Sequence, residues 1–123
     1  MSYFLIFLGG GLGSMARFWL GNRFQDMIEK TFPYGTFLAN FLACLILGIL
    51  LALNQKFPSQ NIKLLWMAGF CGGFSTFSTF SLEVFQLYQK GNLNLCFTYI
   101  FFSNLMCFFA IWLGLQVAAN VAD

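Results

Sequence analysis

Histidine is absent from this 123-residue chain, and charged side chains make up only 8% of it. Without an imidazole, the usual hydrolytic triads and the histidine-containing metal sites are excluded. The few charges cannot cover a soluble domain, and a net charge of +2 with no basic run is too small to imply nucleic acid as a partner. Cys44, Cys71, Cys96 and Cys107 have no C-x-x-C spacing and fall in or beside apolar segments, so a metal centre is not expected. They read as small polarizable fillers of helix contacts, a structural disulfide being the other reading. Paired carboxylates, a phosphate loop and a cofactor fingerprint are all missing, so the chain is not expected to be an enzyme. No Asp or Glu falls in the middle of an apolar segment, which removes the usual proton-coupling group of a pump or secondary transporter.

What is present is apolar. Hydrophobic residues make up 59% of the chain, and its mean hydropathy is +0.76. A hydrocarbon core of roughly 30 Å needs about 20 residues per helix, so this length fits about four spans with short connections. The expected fold is an all-α membrane protein, a single four-helix transmembrane domain over residues 1–123 with helices at about 3–20, 34–53, 62–87 and 95–117. Four such helices are too few to enclose a conduction path alone, which makes an oligomer the natural expectation. The first basic residue, Arg17, follows the first apolar run instead of preceding it, the wrong order for a cleavable secretory signal.

The first expected helix carries a Gly9-x-x-x-Gly13 pair that lets another backbone approach closely. Arg17 continues that line, and it either snorkels to the interface or keeps a vestibule positive for an anion. A polar, partly amphipathic connection from Asn22 to Pro33 holds Arg23, Asp26, Glu29 and Lys30. In the second helix, Thr36, Asn40, Cys44, Gly48 and Ala52 recur at i, i+4 and form a small and polar stripe that must meet protein or water. In the fourth, Tyr99, Ser103 and Cys107 share one face, with Asn104 beside it. Glu83, near the end of the third helix, suits a structural role or a pairing with Arg17.

Basic residues outside the spans are nearly balanced. Lys56 and Lys63 lie on the side of the termini, against Arg23, Lys30 and Lys90 on the other. So weak a bias leaves insertion open in both directions, and two oppositely inserted copies could then pair about a two-fold axis in the membrane plane.

The densest stretch is Gly69 to Glu83, which packs three glycines, five hydroxyls and four phenylalanines into fifteen positions. Gly69, Gly72 and Gly73 are expected to break the helix, and a carbonyl freed in hydrocarbon must be satisfied by protein, water or an ion. Beyond the break, Phe74, Phe77 and Phe80 form a stripe with Ser75, Ser78, Thr79 and Ser81 beside it. Neutral donors interleaved with phenyl edges suit a small desolvated anion, because hydroxyl and amide protons replace part of its hydration and no fixed cation traps it. The alternative is that the rings simply pack and the hydroxyls bond back to the preceding turn.

Taken together, G-G-G-L-G-S-M-A-R-F in the first helix, G-T-F-L-A-N-F in the second, G-F-C-G-G-F-S-T-F-S-T-F-S-L-E in the third, and Tyr99 with Ser103 in the fourth resemble the Fluc/CrcB family of fluoride channels. The resemblance implies an antiparallel, dual-topology homodimer in the inner (plasma) membrane, passively exporting F− from the cytoplasm through two pores, with a structural Na+ on the two-fold axis. It implies that Phe77 and Phe80 offer ring edges to fluoride and that Asn40 is the pore asparagine. Ser78, Thr79, Tyr99 and Ser103 would form a hydroxyl track, Arg17 the vestibule arginine, and the carbonyls of Gly72 and Ser75 the sodium ligands. Two positions depart from the family pattern. Cys107 stands where a hydroxyl is common, and Ser75 replaces the more usual threonine. A small dual-topology multidrug exporter is the other class considered, but it would need a mid-membrane glutamate in the first helix, and Tyr3 to Leu20 holds no acidic residue.

Overall fold

The computed structural model describes residues 1–27 and 32–122, and the expected connection charges Glu29 and Lys30 lie outside the described residues. All its regular elements are helical. The first, α1, is Ser2–Met27, and the second, α2, is Tyr34–Lys56. Three pieces then follow without a gap, Gln60–Ile62, the π-helical Lys63–Cys71 and Gly72–Phe74, which together form α3 (residues 60–74). After two extended residues come α4, Phe77–Gln89, and α5, Leu93–Ala122.

Most helices exceed their expected bounds because nothing in the flanking residues stops them. α1 continues past Leu20 through Arg23, whose guanidinium lies 5.3 Å from the centre of the Trp19 ring one turn back. Between α4 and α5 the chain turns at Gly91, which takes a left-handed φ of 79° that a side chain would resist.

Small residues lie at the helix contacts with a few large ones, and most of the large residues lie outside. Ala39, Ala43 and Phe74 form one buried cluster, and Leu87, Cys96 and Tyr99 another. By contrast Phe7, Phe18, Phe101 and Phe108 are each 70% or more exposed. Water would not tolerate that surface, but lipid does, because in hydrocarbon helices associate through close backbone packing more than through burial of bulky groups. α1, α2 and α5 are each long and apolar enough to cross a membrane.

The two main packings are α1 on α3 and α2 on α5. A Cβ on Gly13 would run into the Phe70 carbonyl, and one on Gly73 into the Gly10 carbonyl, so α1 and α3 touch backbone to backbone. In the second pair, Thr36 meets Tyr99, Cys44 meets Cys107 and Gly48 meets Ile111, each pair 63 positions apart. A constant offset means that α2 and α5 run parallel. The chain leaving α2 must therefore travel back along its length before α5 begins, and residues 60–89 make that return.

The interruption does not fall at the glycines, as the sequence suggests. Gly72 and Gly73 stay helical, and the extended residues are Ser75 (φ −81°, ψ 156°) and Thr76 (φ −151°, ψ 119°). The glycines open room for α1, whereas the break follows from side chains that compete for backbone groups. Ser75 Oγ donates to the Cys71 carbonyl at 2.8 Å, and Thr76 caps the next helix.

The close approach of α2 and α5 predicts that Gly48→Leu destabilises the protein by about 1–3 kcal/mol, since its Cβ would meet the Ile111 carbonyl. Gly11→Ala, which enters open space, should not destabilise and is expected to gain about 0.5–1 kcal/mol of helix propensity. Thermal unfolding in detergent would separate the two, and equal melting temperatures would contradict the packing described.

Candidate functional site

Breaking a helix strands backbone groups, and Asn40 reaches across from α2 to take two of them. Its Oδ1 accepts from the Thr76 N–H at 2.7 Å, and its Nδ2 donates to the Thr76 carbonyl at 3.2 Å. Thr76 in turn organises the start of α4. Its Oγ1 accepts from the Thr79 N–H at 3.2 Å and donates to Thr79 Oγ1 at 3.1 Å. These bonds have a consequence for two other carbonyls. In an unbroken helix the Thr76 N–H would serve the Gly72 carbonyl and the Thr79 N–H the Ser75 carbonyl. Both donors are turned to side chains instead. Arg17 Nε meanwhile donates to the Gly73 carbonyl at 3.1 Å.

Two cavities adjoin this clasp, and Thr76 lines both. The larger, about 210 Å³, is walled by Asn40, Phe77, Phe80, Ser103 and Cys107, and no charged side chain lines it. Ser103 Oγ is buried there and has no hydrogen-bond partner among the described residues. The Phe77 and Phe80 rings lie 5.8 Å apart between centres, and Phe80 rests on Tyr99 at 4.9 Å. Phe77 is 78% exposed, so this wall is open on one side.

The smaller cavity, about 150 Å³, collects Arg17, Asn22, Thr36, Thr79 and Glu83. Glu83 accepts from the Tyr99 hydroxyl at 3.2 Å and also bonds Thr36. It does not pair with Arg17, which the Gly73 carbonyl holds. Two hydroxyls satisfy the carboxylate where it lies, at the α2, α4 and α5 junction.

This arrangement has relatives. Residues 4–115 match the family model described as CrcB-like protein, Camphor Resistance (CrcB). The chain belongs to that family. Among curated proteins, it is 42% identical over 113 residues to a protein of Azobacteroides pseudotrichonymphae genomovar. CFP2 named fluoride-specific ion channel FluC, covering 90% of each chain. It is 41% identical to one of the same name from Phocaeicola vulgatus, over 95% of this chain and 98% of the other. A third, from Flavobacterium psychrophilum, is 38% identical over 96% and 97%.

For this CrcB-like chain the geometry sorts the residues singled out from sequence. Asn40, Phe77, Phe80 and Ser103 come together around one cavity, and Ser75 also lines it. Thr79 and Arg17 line the other. Tyr99 is fully buried, its ring under Phe80 and its hydroxyl committed to Glu83. Ser78 is exposed, 3.4 Å from Thr76 Oγ1, and lines neither cavity. Gly72 is exposed. Sequence reasoning passed over Thr76, although threonine is a favoured N-cap residue and stands just before the Phe77 helix.

Removing the carboxamide would leave the part-buried Thr76 N–H and carbonyl without their side-chain partner. Asn40→Ala is therefore expected to cost about 2–4 kcal/mol, read as a lower melting temperature in detergent. Asn40→Asp keeps the acceptor but loses the donor and adds the desolvation cost of a carboxylate, so it too should melt below the parent. An Asn40→Ala protein that melts with the parent would show that the clasp does not hold the break.

Proposed function

We propose that this chain forms a fluoride-selective channel, not an enzyme, through which the ion leaves the cytoplasm passively down its gradient. The observation that carries the reading is Ser103, a buried hydroxyl with no partner among the described residues, on an uncharged cavity whose wall combines the Phe77 and Phe80 rings with amide, hydroxyl and thiol groups. A buried donor left unpaired is costly, and a small anion would satisfy it. Around it the ring edges add weak attraction, and with no cation in the wall the ion is not held too tightly to leave. The names of the relatives point the same way.

The active unit is an antiparallel homodimer with two pores, inserted in the inner (plasma) membrane. Three long apolar helices and the returning residues 60–89 give four crossings per protomer. Phe77, open in the single chain, supports a second copy that closes the cavity, and the near-balance of basic residues supports opposite insertion. The Gly72 and Ser75 carbonyls, whose helical donors are engaged by Asn40 and Thr76, fit a hard cation such as Na+, which favours oxygen ligands and would need the same pair from each copy. A bound sodium would supply positive charge to carbonyls that protein donors leave short and tie the two broken helices together. Arg17 stands at the vestibule, and Ser78, Thr79 and Tyr99 flank the path.

Reconstituted protein should release fluoride from loaded liposomes and retain chloride; comparable chloride release would overturn the selectivity. Phe80→Ile replaces an electropositive ring edge with an aliphatic group, and a barrier raised by about 1.4 kcal/mol slows efflux about tenfold. Parent-like flux in that variant would place the path elsewhere. Exchange of sodium for choline should lower the melting temperature and release monomer on size exclusion, and an unchanged dimer would argue against the sodium site.

A further inference from the structure

Cys44 and Cys107 occupy the rung of the α2 and α5 pair one turn beyond Asn40 and Ser103. Their thiols lie within hydrogen-bonding reach of each other, and both line the larger cavity. One further turn along, a Cβ on Gly48 would run into the Ile111 carbonyl and one on Gly114 into the Leu45 carbonyl. Backbones that touch at one rung leave room for only short side chains at the next, so two residues with a single γ atom each meet tip to tip. Both are free thiols and only partly buried. The remaining cysteines differ. Cys71 and Cys96 are buried, and Cys96 already donates to the Val84 carbonyl at 3.6 Å.

Building on the channel reading, we infer that Cys44 and Cys107 form a reversible disulfide across α2 and α5 that lowers conduction. The bond would remove both thiol donors from the cavity and fix the two helices that frame it. The oxidant class is a small uncharged hydroperoxide, able to enter an apolar cavity. An ionised thiol attacks the O–O bond, giving a sulfenic acid and water or an alcohol, and the second sulfur then displaces water from the sulfenic acid. In sum, two S–H bonds and one O–O bond break while one S–S and two O–H bonds form. The two electrons lost by sulfur reduce the peroxide. A small dithiol reverses the bond by thiol–disulfide exchange.

The test uses the full-length protein in liposomes, treated with hydrogen peroxide, alkylated and mapped by peptide mass, with fluoride efflux measured before oxidation, after it and after dithiothreitol. Expected are a linked peptide pair containing Cys44 and Cys107, a severalfold fall in efflux, and recovery on reduction. Cys44→Ala and Cys107→Ser, each compared with its own reduced rate, should lose the sensitivity. The inference is overturned if no such link forms, if the linked protein conducts as before, or if the single variants respond like the parent. Reduced protein that releases no fluoride would instead overturn the channel reading and with it the effect on flux, while the mapped bond still decides whether the pair closes.

Discussion

An extended step inside an apolar segment needs partners for the backbone groups it takes out of the helix, and here one amide supplies them. The Asn40 carboxamide carries an acceptor and a donor in one plane, so it can stand opposite a peptide unit as another strand would. A serine in its place would carry donor and acceptor on one oxygen and not side by side in a plane, and a charged residue would bring its own desolvation cost into the segment. Once Thr76 is held, its side chain is free to cap α4, and that cap sets the direction in which Phe77 and Phe80 point from the start of the helix. The cavity is thus a product of the clasp as much as of the residues that line it.

The clasp depends in turn on how α2 is placed. Asn40 lies in the same stripe as Cys44 and Gly48, and the absence of a side chain at Gly48 is what lets α5 come close enough for the rungs to face one another. α1 does the equivalent for α3, with Gly9, Gly13 and Gly73 at the contact and Arg17 at its end, bonded to Gly73. Small residues set the two helix pairs, and Asn40 ties one pair to the other.

Much of this was legible because the relevant patterns are periodic. The Thr36, Asn40, Cys44 and Gly48 stripe and the Tyr99, Ser103 and Cys107 stripe each follow from i, i+4 spacing alone. Their common offset of 63 does not, since it is fixed by the length of the return through residues 60–89. The site of the break was misread for a physical reason. Glycine lowers helix propensity in isolation, but propensity of about 1 kcal/mol per residue yields to packing when a neighbouring helix needs the space. Two side chains that bond back to the main chain, Ser75 and Thr76, decided the matter instead. Arg17 and Glu83 were similarly plausible as an ion pair from their signs, yet each has neutral partners nearer to hand.

That disposition of the two charges bears on how a neutral cavity can work beside them. Arg17 and Glu83 both border the smaller cavity, and Thr76 is the residue shared with the larger one. Bonds to the Gly73 carbonyl and to two hydroxyls hold each charge on its own side of the clasp. At low dielectric a cation drawn into the phenyl-lined cavity would deepen the well for any anion, and a carboxylate would exclude it. Hydrogen bonds that look merely structural therefore keep the field in the larger cavity weak, as the proposed passage of an ion through it requires.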